Sequence, residues 1–136
     1  MTEADLELPA FPHDFSAGAI VDFWGTVRER EGEAEIAGLL YEVHRAMAEH
    51  QLRVIAEEAM QRFDLKLAVI HHRIGFVPVG KASLFLRVAA AHRSEAFKAG
   101  QWVVDELKKR VPIWKKPKLR AGQRLKNQVA AAETNL

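Results

Sequence analysis

The chain has 136 residues, 49% hydrophobic and 28% charged, which is ordinary for a globular protein and enough for one domain with a buried core. It contains no cysteine, which excludes disulfides, a thiolate nucleophile and any cysteine metal site. The net charge of +2 conceals a division: residues 108–126 hold nine Lys/Arg and no Asp or Glu, against 11 basic and 18 acidic residues elsewhere. A basic segment on an acidic body points to an anionic ligand or partner near the C-terminal third. The acidic start of the chain lacks a basic-then-apolar signal pattern, and no apolar run approaches the ~20 residues that span a bilayer. These features predict a cytoplasmic protein with no membrane association.

Residues 1–17, with Pro9 and Pro12 and little periodicity, read as an extended lead-in. Residues 18–25 form a short apolar strand that Thr26, Val27 and Arg28 can continue, and 28–35 is a charged turn. Residues 36–44 have strand composition and are expected to pair with 18–27 as a hairpin. Residues 45–63 give the clearest helix, with Met47, Leu52, Ile55, Ala56, Ala59, Met60 and Phe63 along one face. A buried strand follows at 65–72, then a loop at 73–81 punctuated by Gly75, Pro78 and Gly80, then a strand at 82–91.

That strand leads directly into a second helix, which starts at His92-Arg93 and stops before Pro112. Ala96, Phe97, Gly100, Val103, Val104 and Leu107 share one face, Ser94 or His92 can cap the start, and Lys108, Lys109 and Arg110 occupy the last turn, where the dipole favours cations. Ile113-Trp114 then anchors Lys115 and Lys116. A tail over 121–136 is expected to fray. The order β-β-α-β-β-α plus a tail predicts an α+β fold, two main helices on a mostly antiparallel sheet, in one domain spanning 1–136.

Most standard chemistry is absent. No phosphate-binding glycine loop and no HExxH occur, and the serines sit in no nucleophile elbow. His71 and His72 are neighbours on a strand, so they point to opposite faces and cannot chelate one metal; no metal or cofactor is expected. What remains is a set of cations: Arg28, Arg73, His92, Arg93, Lys108 and Lys115. Lys108 falls on the stripe of Phe97, Gln101 and Val104, so it emerges beside the buried face, where a lysine can be partly desolvated and serve as acid, base or nucleophile. His92-Arg93 at a helix start offers an anion site. The two ends are 16 residues apart, about 24 Å along a helix, so one copy cannot easily bring both to one small ligand. Either they serve different sites, or a symmetric dimer joins them.

Four blocks carry a resemblance: K-K-R-V-P-I-W-K-K at 108–116, A-H-R-S-E-A-F at 91–97, H-R-I-G-x-x-P-V-G at 72–80, and G-T-V-R at 25–28. In this order, over roughly 18–126, the chain resembles the catalytic (large) subunit of molybdopterin synthase. The resemblance implies an α/β hammerhead fold and a central homodimer with a small ubiquitin-like subunit docked at each end, a heterotetramer. It also implies a sulfurtransferase reaction. The small subunit's C-terminal Gly-Gly, as a thiocarboxylate, delivers two sulfurs to cyclic pyranopterin monophosphate, giving molybdopterin. Carried over by motif, Lys108 is the acid/base or covalently assisting lysine and Lys115 flanks substrate and thiocarboxylate. Arg28 binds the anion, Lys116 adds a substrate contact, and His92 and Arg93 reach the phosphate or pterin from the other copy of the dimer.

The chain departs from the family pattern after Trp114-Lys115, where Lys116-Pro117 stands in place of a frequent acidic residue, and at Gln123-Arg124-Leu125. His44 also stands where an aromatic is common. Two other readings fit the residues: a nucleic-acid-binding module using the nine cations of 108–126 with Trp114, and a non-catalytic relative that serves as a scaffold for the small subunit.

Overall fold

Nine elements build the chain in the order β1 (Ala19–Thr26), β2 (Arg30–Glu31), β3 (Ala34–Val43), α1 (Arg45–Arg62), β4 (Leu67–His72), β5 (Gly75–Pro78), β6 (Ala82–Ala90), α2 (Arg93–Arg110) and β7 (Ile113–Leu119). The structure is a computed structural model and describes residues 1–10 and 14–121. The tail expected to fray lies, beyond Ala121, outside the described residues. All named strands pair antiparallel, in two sheets. The α+β class, the two helices and the antiparallel pairing are those expected from the sequence.

The first sheet runs β1-β6-β4. Helix α2 packs on β1 and β6, and α1 on β4. Strand β6 is buried from Ser83 to Ala90, which explains its nearly continuous apolar run: a central strand covered on both faces has no reason to alternate. One cover is the helix layer, where Ala96, Ala99, Gly100, Val103 and Leu107 of α2 and Ala48, Leu52, Ile55 and Ala59 of α1 are buried. Met47 and Phe97, expected on those buried faces, are instead more than half exposed (53% and 65%).

The other cover is the lead-in. Arg87, 2% exposed in the middle of β6, donates to both carboxylate oxygens of Asp22 on β1, at 2.7 and 2.8 Å. It also donates to the carbonyls of Pro9 and Ala10, at 3.2 and 2.8 Å. Thr2 bridges Arg73, whose guanidinium donates to the Glu3 carbonyl at 3.2 Å and pairs with Asp5 at 2.9 Å. The lead-in is therefore extended, as its prolines predict, but fastened across the sheet.

The second sheet corrects three sequence-based assignments. The hairpin of 18–27 with 36–44 does not form: β1 pairs β6, and β3 pairs β5 on one edge and β7 on the other. Strand β3 buries Ala34, Ile36, Gly38, Leu39 and Tyr41, and so apolar a strand needs both edges taken. The charged stretch closes its own small hairpin instead, β2 against the start of β3, with Gly32 at φ 61° in the two-residue turn. The loop assigned to 73–81 contains β5; Gly75 and Gly80, both at positive φ, mark its two ends rather than an unstructured run. The segment after Pro112 is strand β7, which the interrupting Pro117 disguised. That proline is tolerated because β7 pairs only with β3.

The Arg87 clamp makes a testable demand. Asp22→Ala leaves a buried guanidinium without its carboxylate and should destabilise the fold by about 3 kcal/mol or more. Urea denaturation of wild type and variant at neutral pH measures it; a loss below about 0.5 kcal/mol, the range of ordinary surface substitutions, refutes the account.

Candidate active site

Helix α2 ends where Val111 precedes Pro112, and its last carbonyls are closed by the Val111 N–H donating to the Leu107 carbonyl at 3.1 Å. The chain reverses there and returns as β7 along β3. Lys108 on the helix and Lys115 on the strand are brought to one cavity of about 200 Å³. The cavity is walled by β1 and its extension (Phe23, Gly25, Thr26, Arg28), by Glu31 of β2, by Leu39 and Tyr41 of β3, by Ser83 and Leu84 of β6, and by Val104 of α2. Arg28, Lys108 and Lys115 therefore converge, from three different elements.

Among the described residues none of these three cations has a hydrogen-bond or ion-pair partner. The neighbouring cations differ. Lys109 pairs with Glu106, Arg110 with Glu58 and Glu106, Lys116 with Glu42 at 3.2 Å, and Arg120 with Glu35 at 3.0 Å. Lys116 is thus committed to a surface pair on β3 and does not line the cavity. Arg73 is committed to the lead-in. Lys108 stands beside the buried face, as its spacing predicted, but its side chain remains exposed at the rim.

His92 and Arg93 lie exposed at the far end of the same unbroken helix, about 24 Å from Lys108 by helical rise. His92 holds the N-cap position without a side-chain capping bond, and Ser94 lies within the helix. The structure does not bring these two residues to the cavity of their own chain.

The cavity floor contains groups with no sequence signal beyond being polar in apolar strands. The Tyr41 hydroxyl donates to Ser83 Oγ at 3.0 Å, and Ser83 Oγ approaches the Gly25 carbonyl at 3.4 Å. This chain joins β3 of one sheet to β6 and β1 of the other. Burial raises the Tyr41 pKa, the Ser83 hydrogen bond partly opposes it, and the negative charge of Glu31 adds to the rise, so Tyr41 is a neutral donor. Behind it His72 is fully buried, its ring edge-on to Tyr41 at 5.2 Å and its Nδ1–H donating to the Arg73 carbonyl at 2.7 Å. His71 points to the other face and meets Phe85, as strand alternation requires. Among the described residues no group of three His, Asp or Glu is placed to hold a metal, and no helix is long and apolar enough to cross a membrane.

The family model for MoaE protein matches residues 1–110. The chain belongs to the MoaE family. It is 42% identical over 106 residues to the molybdopterin synthase catalytic subunit of Thermoplasma volcanium, covering 78% of this chain and 77% of that protein. Its fold matches molybdopterin synthase from Staphylococcus aureus with a TM-score of 0.76 at 31% identity, over 84% of this chain and 83% of that one. It also matches, as a fold, a chain in the complex of subunits 1 and 2 of molybdopterin-converting factor from Helicobacter pylori, with a TM-score of 0.67 at 20% identity, over 83% and 74% of the two chains. The function that membership gives is that of a molybdopterin synthase catalytic subunit, an enzyme of molybdenum cofactor biosynthesis.

Buried His72 sets a pH dependence. Burial lowers its pKa from 6.5 to about 4, while the unfolded chain protonates near the ordinary value. Stability is then complete above pH 6.5 and falls as pH drops towards 4, by roughly 3 kcal/mol. Comparing wild type with His72→Phe by urea titration across this window should show a markedly shallower decline in the variant; parallel declines would exclude His72 as the cause.

Proposed function

We propose that the cavity transfers sulfur from the C-terminal thiocarboxylate of a small ubiquitin-like partner to cyclic pyranopterin monophosphate, in two steps that build the dithiolene of molybdopterin. The observation that carries this reading is the convergence of three unpaired cations, Arg28, Lys108 and Lys115, on one cavity in a chain without cysteine. A chain with no thiol cannot hold a persulfide, so the sulfur must arrive on another molecule. A thiocarboxylate and a cyclic phosphate are both anions, and unpaired guanidinium and ammonium groups are their natural partners.

Within this reading Arg28 takes the phosphate or the incoming carboxylate in a forked contact. Lys115, standing directly across from Tyr41 in the β7–β3 register, flanks substrate and thiocarboxylate. Lys108, at the exposed rim, exchanges protons with the reacting groups or assists covalently. Lys116 serves at the lip, where substrate must compete with Glu42 for it.

His92 and Arg93 belong to the same chemistry through a second copy of the chain. The length of α2 separates them from their own Lys108 by more than a small ligand spans, and a two-fold dimer removes that separation by pairing one copy's helix start with the other's helix end. The full assembly is then a homodimer with one small partner at each cavity. A nucleic-acid interface has weaker support, because in the described part of 108–126 the cations are divided between a helix end and a strand and four of them are ion-paired.

Turnover tests the reading. The purified chain, a thiocarboxylated small subunit and cyclic pyranopterin monophosphate should yield dithiolene product, and Lys108→Ala should reduce the rate at least a hundredfold, the scale of a lost proton-transfer group. Complex formation without product from the wild-type chain would leave a scaffold role instead. Shared sites make a second demand: Arg93→Glu mixed with Lys108→Ala should recover part of the activity that each lacks alone. Mixed dimers with no recovery would confine each site to one chain.

A further inference from the structure

Glu31 is the one carboxylate among the residues that wall the cavity, which Arg28, Lys108 and Lys115 also line. It is half-buried, and among the described residues it has no hydrogen-bond or ion-pair partner. Its position is built rather than accidental. Gly32 at φ 61° closes the turn that pairs Glu31 with Ala34, and Arg30 fastens the same hairpin by donating to the Glu33 carbonyl at 3.0 Å and to the Glu35 carboxylate at 3.3 Å. Its charge reaches the cavity floor, where it contributes to the raised pKa of Tyr41.

A carboxylate here opposes the binding of any anion, so a cavity serving anions alone would do better without it. It is useful if the ligand also carries neutral N–H donors. A carboxylate accepts only, with two oxygens side by side, and matches two adjacent N–H groups on one edge of a ring. The 2-amino-4-oxo edge of a pterin presents that pair: the exocyclic amine and the neighbouring ring N–H. We propose that Glu31 is a specificity residue that holds the amino edge of the pterin ring, while the cations take the phosphate and the thiocarboxylate. This rests on the substrate class proposed above. It divides the roles by charge: an acceptor on the β2–β3 hairpin, and cations from the extension of β1, from α2 and from β7. Phe23 and Leu39 supply apolar wall for the ring between them.

The sign of one substitution separates this role from a mere counter-charge. Glu31→Gln keeps the shape, removes the charge and turns one acceptor into a donor. If Glu31 holds the amino edge, KM for cyclic pyranopterin monophosphate in the complete system should rise roughly tenfold to a hundredfold, with kcat little changed, the scale of a charged hydrogen bond lost. If it acts only by charge, KM for this anion should fall. Two probes need no turnover. Neutral 6-hydroxymethylpterin, followed by its fluorescence, should bind the Gln variant at least tenfold more weakly than wild type, whereas inorganic phosphate should bind it as well or better. Equal binding of the neutral pterin, or a lowered KM with wild-type turnover intact, overturns the proposal alone. A wild-type chain that forms no product overturns the sulfurtransfer reading, and the proposal with it.

Discussion

Strand β3 is the member on which the site depends, because it pairs with β7, which carries Lys115, and its start forms the hairpin that carries Glu31. Its apolar residues cannot be left with an open edge, and the pairing that closes one edge is β7. Pairing with β7 fixes the path of the chain from the end of α2, and that path puts Lys108 and Lys115 on two elements facing one space. The start of β3 forms the hairpin that carries Glu31, and its middle supplies Tyr41. The Tyr41–Ser83–Gly25 chain then ties β3 to the other sheet at the point where β1 runs out towards Arg28. A site assembled from five strands and a helix thus has one strand in common, and a hydrogen-bonded floor that holds the two sheets at a set distance.

The electrostatics follow from which acids are within reach. The basic C-terminal segment is not a uniform patch, because among the described residues the acidic body pairs four of its cations locally: Glu106 takes Lys109, Glu58 and Glu106 take Arg110, Glu42 takes Lys116 and Glu35 takes Arg120. Exposed pairs of this kind add little stability, about 0–1 kcal/mol each. Their consequence is discrimination: they remove cations from the list of ligands and leave Arg28, Lys108 and Lys115 unsatisfied around a cavity. Arg87 represents the opposite use of the same group. Buried, and bound to Asp22 and two carbonyls, it is a structural clamp with nothing left to offer a ligand, although in sequence it is one more arginine.

Much of this was legible in the sequence, and the failures share a cause. Both helices were readable because periodicity is a local property, and the end of α2 because Pro112 and the cations of its last turn are local too; the side-chain cap expected from Ser94 or His92 does not form. The convergence of Lys108, Lys115 and Arg28 came from four motif blocks rather than from periodicity. Sheet pairing was not legible: β1 is followed closely by strand-like residues, and nearness along the chain favours a hairpin, but which edge a strand takes is decided by distant partners such as β6 and β7. Strand β7 itself was hidden by Pro117, whose usual meaning is a break, and β5 by Gly75 and Gly80, which bound a strand as readily as a loop. Glu31, Tyr41 and Ser83 were missed because one carboxylate in a charged turn and two hydroxyls in apolar strands look like nothing until the sheets are folded together. Phe97 and Met47 failed differently. Their spacing put them on the apolar stripe, but at its margin, where small rotations of a helix decide between core and solvent.

Helix α2 imposes the last constraint. It runs unbroken from Arg93 to Arg110 with its buried face packed along β1 and β6, so its ends cannot approach each other without losing that packing. Whatever His92 and Arg93 bind is therefore about 24 Å from the ligand of their own Lys108, as far as a rigid rod of this length dictates. Flexible loops could have reached that distance by bending; a helix cannot. The cationic helix start is either idle or it works on a neighbouring molecule, and a second identical chain is the neighbour for which a single surface would have to satisfy both roles at once. Two-fold symmetry does that economically, since one contact then completes two sites. The same rigidity that gives the fold its helix layer is the reason the shared site is proposed between two copies rather than within one chain.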